Sequence, residues 1–331
     1  VTSMETTQQE GAAAPNADPG SWFDGRSRVM FVHAHPDDET ITTGGTLAGL
    51  AEAGREPLLV TLTRGERGEV VAGPFAHLAG TDALAPHRQT ELAAALAMLG
   101  LERHAFLGVE PARAEGYPPV IYEDSGMAWG PDGRAGAAPD ASADALTSAP
   151  AVEALNDLLA AAYQAGAQAI VSYDDGGGYG HPDHVLAHRL ARAVAQALGL
   201  PFWEILGDEA AERALAETGA ADPSAAEPGV AEPGAADPGV ADSGAADPGV
   251  ADSGAADPSI DAASDQAAAS APAIEVHDVT AWLPRKVAAL RAHGTQLTVD
   301  GDDIVHVGGQ REPIGDRETF RRIPAPPGHG G

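Results

Sequence analysis

The sequence predicts an α/β fold: a Rossmann-like, mostly parallel sheet with helices on both faces, plus a smaller C-terminal part and a disordered acidic repeat insertion. Three observations predict it. Apolar runs of strand length alternate with segments of helical periodicity between about residues 28 and 207. Two His-Pro-Asp segments each follow such a run. A ten-residue Ala/Asp/Pro/Gly repeat then breaks the pattern, which resumes at Ile274.

Residues 1–25 are small and polar and read as a disordered leader. Val1 to Gly20 has no basic stretch followed by an apolar core, as a signal peptide would. Arg28-Val29-Met30-Phe31-Val32 is the first buried strand, ending in His33-Ala34-His35-Pro36-Asp37-Asp38-Glu39. Thr46 to Ala51 reads as a helix closed near Gly54, and Pro57 to Leu62 as a second buried strand. Residues 86–99 place Leu92, Leu96 and Leu99 at helical spacing. His104 to Leu107 is a third strand, 151–164 a helix, and Ala169 to Tyr173 a fourth strand. A glycine-rich run from Gly176 to Gly180 leads into His181-Pro182-Asp183-His184 and a helix to about Leu198. In a sheet of this kind the chemistry lies beyond the carboxyl ends of the strands, where both His-Pro-Asp segments fall.

Gly234 to Ser243 reads GAADPGVADS, and Gly244 to Ser253 repeats it without change. With one valine per unit and recurring proline there is nothing to stack, so disorder is expected rather than a solenoid. Order returns with Ile274-Glu275-Val276, a helix over 281–293 bearing Leu283, Val287 and Leu290, and a strand at Ile304 to Val307. The chain thus divides into a leader (1–25), a core (26–207), the repeat segment (208–273), a C-terminal part (274–322) and a disordered tail (323–331).

The formal net charge of −30 argues against binding nucleic acid or an anionic membrane surface. No apolar run approaches the ~20 residues of a membrane helix. Without cysteine there is neither a disulfide framework nor a thiolate metal site, so any metal must sit on His and Asp/Glu. These features suit a cytoplasmic protein and leave a homo-oligomer open.

His35-Pro36-Asp37-Asp38-Glu39 pairs an imidazole with adjacent carboxylates at a strand end. His35 and Asp38 can turn toward one point with Asp37 beside them as a base; equally, Asp37 or Asp38 could cap the following helix. His181 and His184, three apart at a helix start, can converge on a metal, or one can bind while the other does acid–base work. Alone they could be two exposed histidines in a turn. Together the two segments supply a His/Asp/His set with spare acid and base groups, enough for a hydrolytic metal site with an open position for water.

Ala34-His35-Pro36-Asp37-Asp38-Glu39, Thr61-Leu62-Thr63-Arg64-Gly65-Glu66 and Gly180-His181-Pro182-Asp183-His184 resemble the PIG-L/LmbE-like deacetylase family. Gly177 to His184, Asp124-Ser125-Gly126-Met127 and Lys286 to Gln296 are similar to its branch acting on N-acetylglucosaminyl-inositol in mycothiol biosynthesis. The resemblance spans roughly 28–207 and 274–307. It implies a metal-dependent N-deacetylase with His35, Asp38 and His184 as metal ligands and Asp37 as general base. It implies His181 as oxyanion stabiliser or acid, with Asp183 its orienting partner, and Tyr179 on a loop that closes over the substrate. Arg88 and Asp124 would grip sugar or inositol hydroxyls; otherwise Arg88 would form a surface pair with Glu91, and Asp124 would be a turn residue. Zinc is the first choice of metal, with iron(II) compatible with the same donors. The implied substrate is a small-molecule glycoside. An amidase of mycothiol S-conjugates is the alternative, because it cleaves an amide on the same nitrogen.

Overall fold

The computed structural model describes residues 14–129, 135–219 and 273–324. The expected disorder of residues 1–13, 220–272 and 325–331 lies outside the described residues.

In chain order the strands are β1 (Val29–His33), β2 (Leu58–Thr61), β3 (His104–Phe106), β4 (Ala128–Trp129), β5 (Ala135–Gly136), β6 (Ala169–Tyr173), β7 (Phe202–Leu206), β8 (Ile274–Asp278), β9 (Leu297–Asp300), β10 (Asp303–His306), β11 (Arg311–Pro313) and β12 (Arg317–Ile323). The helices are α1 (Trp22–Gly25), α2 (Asp38–Glu52), α3 (Leu84–Leu99), α4 (Ala151–Ala165), α5 (Pro182–Leu198), α6 (Asp208–Gly219) and α7 (Leu283–Ala292).

The main sheet has seven strands in the order β3-β2-β1-β6-β7-β12-β8. The first five run parallel, and β12 is antiparallel to both β7 and β8. Strand order reverses between β1 and β6. The carboxyl ends of these two neighbours open the crevice in which doubly wound sheets bind ligands, and each end feeds one His-Pro-Asp segment.

All five residues of β1 are buried, as a central parallel strand covered on both faces requires. Met30, Val32, Val60 and Ile170 face a core that includes Leu158 of α4 and Val194 of α5. Val29, Phe31, Leu59 and Val171 face the other, with Leu47 of α2, Leu92 and Leu96 of α3, Trp203 and Phe320. The period-two alternation thus sorts the side chains into two layers.

The structure corrects the sequence reading in four places. Residues 14–25 are not a loose leader: Trp22 and Phe23 are fully buried. Trp22 stacks on His277 with ring centroids 4.2 Å apart, and Phe23 packs edge-on against Phe31, Trp203 and Phe320. Asn16 exchanges backbone hydrogen bonds with β8 beside it. Two large aromatic side chains outweigh the polarity of their neighbours. Residues 208–219, expected in the repeat segment, form α6, whose Ala211 and Ala214 pack on Leu206. Helix α2 starts at Asp38, eight residues before the expected Thr46, because Gly44 and Gly45 concealed its first turns. Those glycines have a packing reason: a Cβ on Gly45 would stand 2.4 Å from the Val279 Cβ. Glu318 then takes hydrogen bonds from the Gly45 and Thr46 N–H groups and from buried Lys286. Finally, β7 and β12 extend the sheet where no strand was expected. Among the described residues no helix is long and apolar enough to cross a membrane.

Candidate metal centre and active site

Three donor atoms stand at the β1/β6 crevice. His35 Nδ1 and Asp38 Oδ2 are 3.3 Å apart, His184 Nε2 and Asp38 Oδ2 are 3.3 Å apart, and the two ring nitrogens are 3.3 Å apart. Donors held tetrahedrally at about 2.0–2.1 Å from a cation lie about 3.3–3.4 Å from one another. The triangle is one face of such a tetrahedron, so these residues fit a divalent cation with a position left for water.

Each ring's other nitrogen supports this. His35 Nε2 faces the carboxylates of Asp183 at 3.2 Å and Asp124 at 3.6 Å, which can only accept, so Nε2 carries a proton. Burial opposes a charge on the ring, but Asp124, Asp183 and Asp38 raise its pKa well above the usual range, and a cation at the triangle would take the place of the Nδ1 proton. His184 Nδ1 faces the Gly177 carbonyl at 3.3 Å, which leaves Nε2 free. Metal-binding histidines are commonly fixed in this way. The Asp38 carboxylate is held by the His35 N–H and by Tyr173, whose hydroxyl donates to Oδ2 at 2.7 Å and accepts from the Ala34 N–H. Tyr173 also stacks on the His184 ring with centroids 4.1 Å apart.

His181 is close: its ring lies within a looser group in which donor atoms of His35, His181 and His184 stand within 4.8 Å of one another. Its tautomer separates it from His184. As N-cap of α5 its Nδ1 accepts the Asp183 N–H, so the neutral ring carries its proton on Nε2 and presents a donor. Burial, with His35 and His184 nearby, lowers its pKa to about 4, which keeps it neutral.

Asp37 occupies the N-cap position of α2, yet its side chain makes no capping hydrogen bond, so the capping alternative is not what the structure adopts. Its Oδ2 lies 3.4 Å from Arg88 Nη2. Burial pushes its carboxyl up to about 6, against the pull of Arg88 and with the push of Asp38.

Two other residues take positions the sequence did not suggest. The Asp183 carboxylate is turned to His35 and the Ser125 N–H; only its backbone N–H serves His181. Arg88 is buried, with Nη1 on the Gly65 carbonyl and Nη2 on the Pro36 carbonyl and Asp37. The surface pair with Glu91 does not form, because Glu91 accepts from the Thr295 N–H and hydroxyl. Asp124 lies beside His35 and accepts from the Gly126 N–H, and Glu66 accepts its N–H. Tyr179 is 62% exposed, with its ring 5.1 Å from that of His184 and 6.1 Å from that of His181. Tyr173 and Glu66 were missed. For Tyr173 a signal existed: a lone tyrosine ending an apolar strand just ahead of a His-Pro-Asp segment.

Residues 30–195 match the model of the family described as PIG-L, GlcNAc-PI de-N-acetylase. The chain belongs to this family. It is 37% identical over 322 residues to a 1D-myo-inositol 2-acetamido-2-deoxy-alpha-D-glucopyranoside deacetylase of Kineococcus radiotolerans, covering 89% of this chain and 77% of that one. It is 40% identical over 310 residues to the protein of the same name from Streptomyces avermitilis, covering 89% and 92%. A crystal structure of a deacetylase of teicoplanin biosynthesis, bound to teicoplanin, shares the fold: TM-score 0.50, 16% identity, 89% of this chain and 98% of that one.

Proposed function

We propose that this chain hydrolyses the acetamide of N-acetylglucosaminyl-inositol, a small-molecule glycoside, giving acetate and the free glucosaminide in the cytoplasm, with zinc as its metal. The observation that carries the chemistry is the donor triangle with 3.3 Å edges, set beside a base of raised pKa. The substrate follows the names of relatives aligned over most of this chain.

His35, Asp38 and His184 would hold the metal. When bound, such a cation polarises the amide carbonyl and lowers the pKa of water toward neutrality. Asp37 accepts the proton of the attacking water; a pKa near 6 leaves it ionised at neutral pH and basic enough to take that proton. Neutral His181 donates its Nε2–H to the oxyanion that forms as water adds, and Tyr179 covers the same side. Asp37 then returns its proton to the departing nitrogen as the C–N bond breaks. Asp183 and Asp124, both at His35 Nε2, orient His35, and Arg88 acts through Asp37.

The test is hydrolysis of N-acetylglucosaminyl-inositol, free N-acetylglucosamine and a mycothiol S-conjugate, with and without chelator, by wild type and Asp37→Asn. Chelator should abolish activity. Asp37→Asn should keep its metal and lose about 10²–10⁴-fold in kcat. Full activity in that variant refutes the role of Asp37, and faster cleavage of the S-conjugate overturns the substrate.

A further inference from the structure

The Lys286 to Gln296 run resembles the family, yet none of its residues enters the chemistry above. Its buried histidine, His293, reaches back across more than 250 residues of chain. Its Nε2 stands 3.0 Å from Glu39 Oε1, with both side chains at or near zero exposure. Thr40 donates its hydroxyl to the same oxygen at 2.5 Å. The other oxygen, Oε2, accepts the backbone N–H of Asp37 at 3.0 Å.

The Asp37 backbone needs such an anchor. Its φ is +121° and its ψ −35°, a region that an L-residue occupies only where its surroundings hold it. That twist sets the direction of the Asp37 Cβ and therefore of its carboxylate. Arg88 holds the far end of the side chain; the backbone end is held through Glu39.

We propose that Glu39 and His293 are positioning residues for the reaction: the pair clamps the Asp37 peptide in its strained conformation and so aims the base. Neither residue touches substrate. Both act on the direction of the Asp37 carboxylate, which makes the C-terminal part a working component of the site. This rests on the reading of Asp37 as the base.

The experiment compares His293→Gln, whose amide N–H can still donate to Glu39, with His293→Leu, which cannot. Each full-length variant is purified with metal and assayed for metal stoichiometry, KM and kcat. For His293→Leu we expect full metal content, KM within about 3-fold and kcat lower by about 10²-fold, the scale of a base misplaced by about an ångström. His293→Gln should recover kcat to within about 5-fold of wild type, on the same reasoning. Equal kcat in the two variants, or a loss of metal that parallels the loss of kcat, overturns the clamp. Should His293→Leu fail to fold, Thr40→Val carries the test. It removes the Thr40 hydroxyl from Glu39 at nearly constant volume and should lower kcat by about 3–10-fold with KM and metal unchanged; an unchanged kcat overturns the proposal. Asp37→Asn measured alongside separates the two readings: if it keeps full activity the base assignment falls, and if it is inactive while the His293 variants match each other, only the clamp falls.

Discussion

Replacing Asp183 with Asn separates two roles for the same residue. The family resemblance implies Asp183 as the partner of His181; the structure puts its carboxylate on His35. Oδ2 accepts both from His35 Nε2 at 3.2 Å and from the Ser125 N–H at 2.9 Å. Oδ1 is buried without a partner. An asparagine can therefore keep both hydrogen bonds through its oxygen and place its NH₂ where Oδ1 stood, so the change removes charge with little change of shape. Two unit charges at 3.2 Å in an effective dielectric of about 20 interact by about 5 kcal/mol. A metal on Nδ1 gives Nε2–H only part of a charge, and the retained hydrogen bond keeps part of the attraction. A net loss of roughly 1.5–3 kcal/mol follows, matching the 10–100-fold weakening typical when a ligand's supporting carboxylate is removed. The assay is competition with a chelator of known affinity, followed by kcat at saturating metal. Metal Kd should rise 10–100-fold, with much of kcat restored by added metal. An unchanged Kd with a lowered kcat would return Asp183 to His181.

Two further outcomes are expected. Arg88 favours the ionised form of Asp37, so Arg88→Gln should raise the Asp37 pKa above its value of about 6. The acid limb of kcat/KM should then move to higher pH; a limb that stays in place while KM rises would return Arg88 to substrate binding. Trp22→Ala should cost roughly 3–5 kcal/mol, as expected for a fully buried tryptophan, and lower Tm by about 10 °C in a scan. A change of less than about 2 °C would mean that the N-terminal segment is not part of the core.

The parallel core was legible because its signals are local. Ala169 to Tyr173 is apolar throughout, strand-length and bounded by turn residues, and it is β6 as expected. What escaped was structure decided by distant partners. Phe202 to Leu206 ends in the same residues whether or not β12 lies beside it, and its pairing, Phe320 opposite Ile205, is made across more than 100 residues. Trp22 and Phe23 are buried by His277 and Phe320, which a local average over the first 25 residues cannot register.

The donor set shows the same division more sharply. Residue type and spacing offer His35, Asp38 and the two histidines of the second motif and leave open which of His181 and His184 joins the first two; the family resemblance implies His184. Spacing says nothing about which ring nitrogen carries a proton. That is decided by the acceptors behind each ring: Gly177 for His184, Asp183 and Asp124 for His35. The Asp183 N–H makes the opposite choice for His181. Two histidines three residues apart on one helix are thereby given different chemistry, a lone pair toward the triangle at His184 and a proton donor at His181. The motif supplies the side chains, and the tertiary contacts decide which nitrogen of each ring carries the proton.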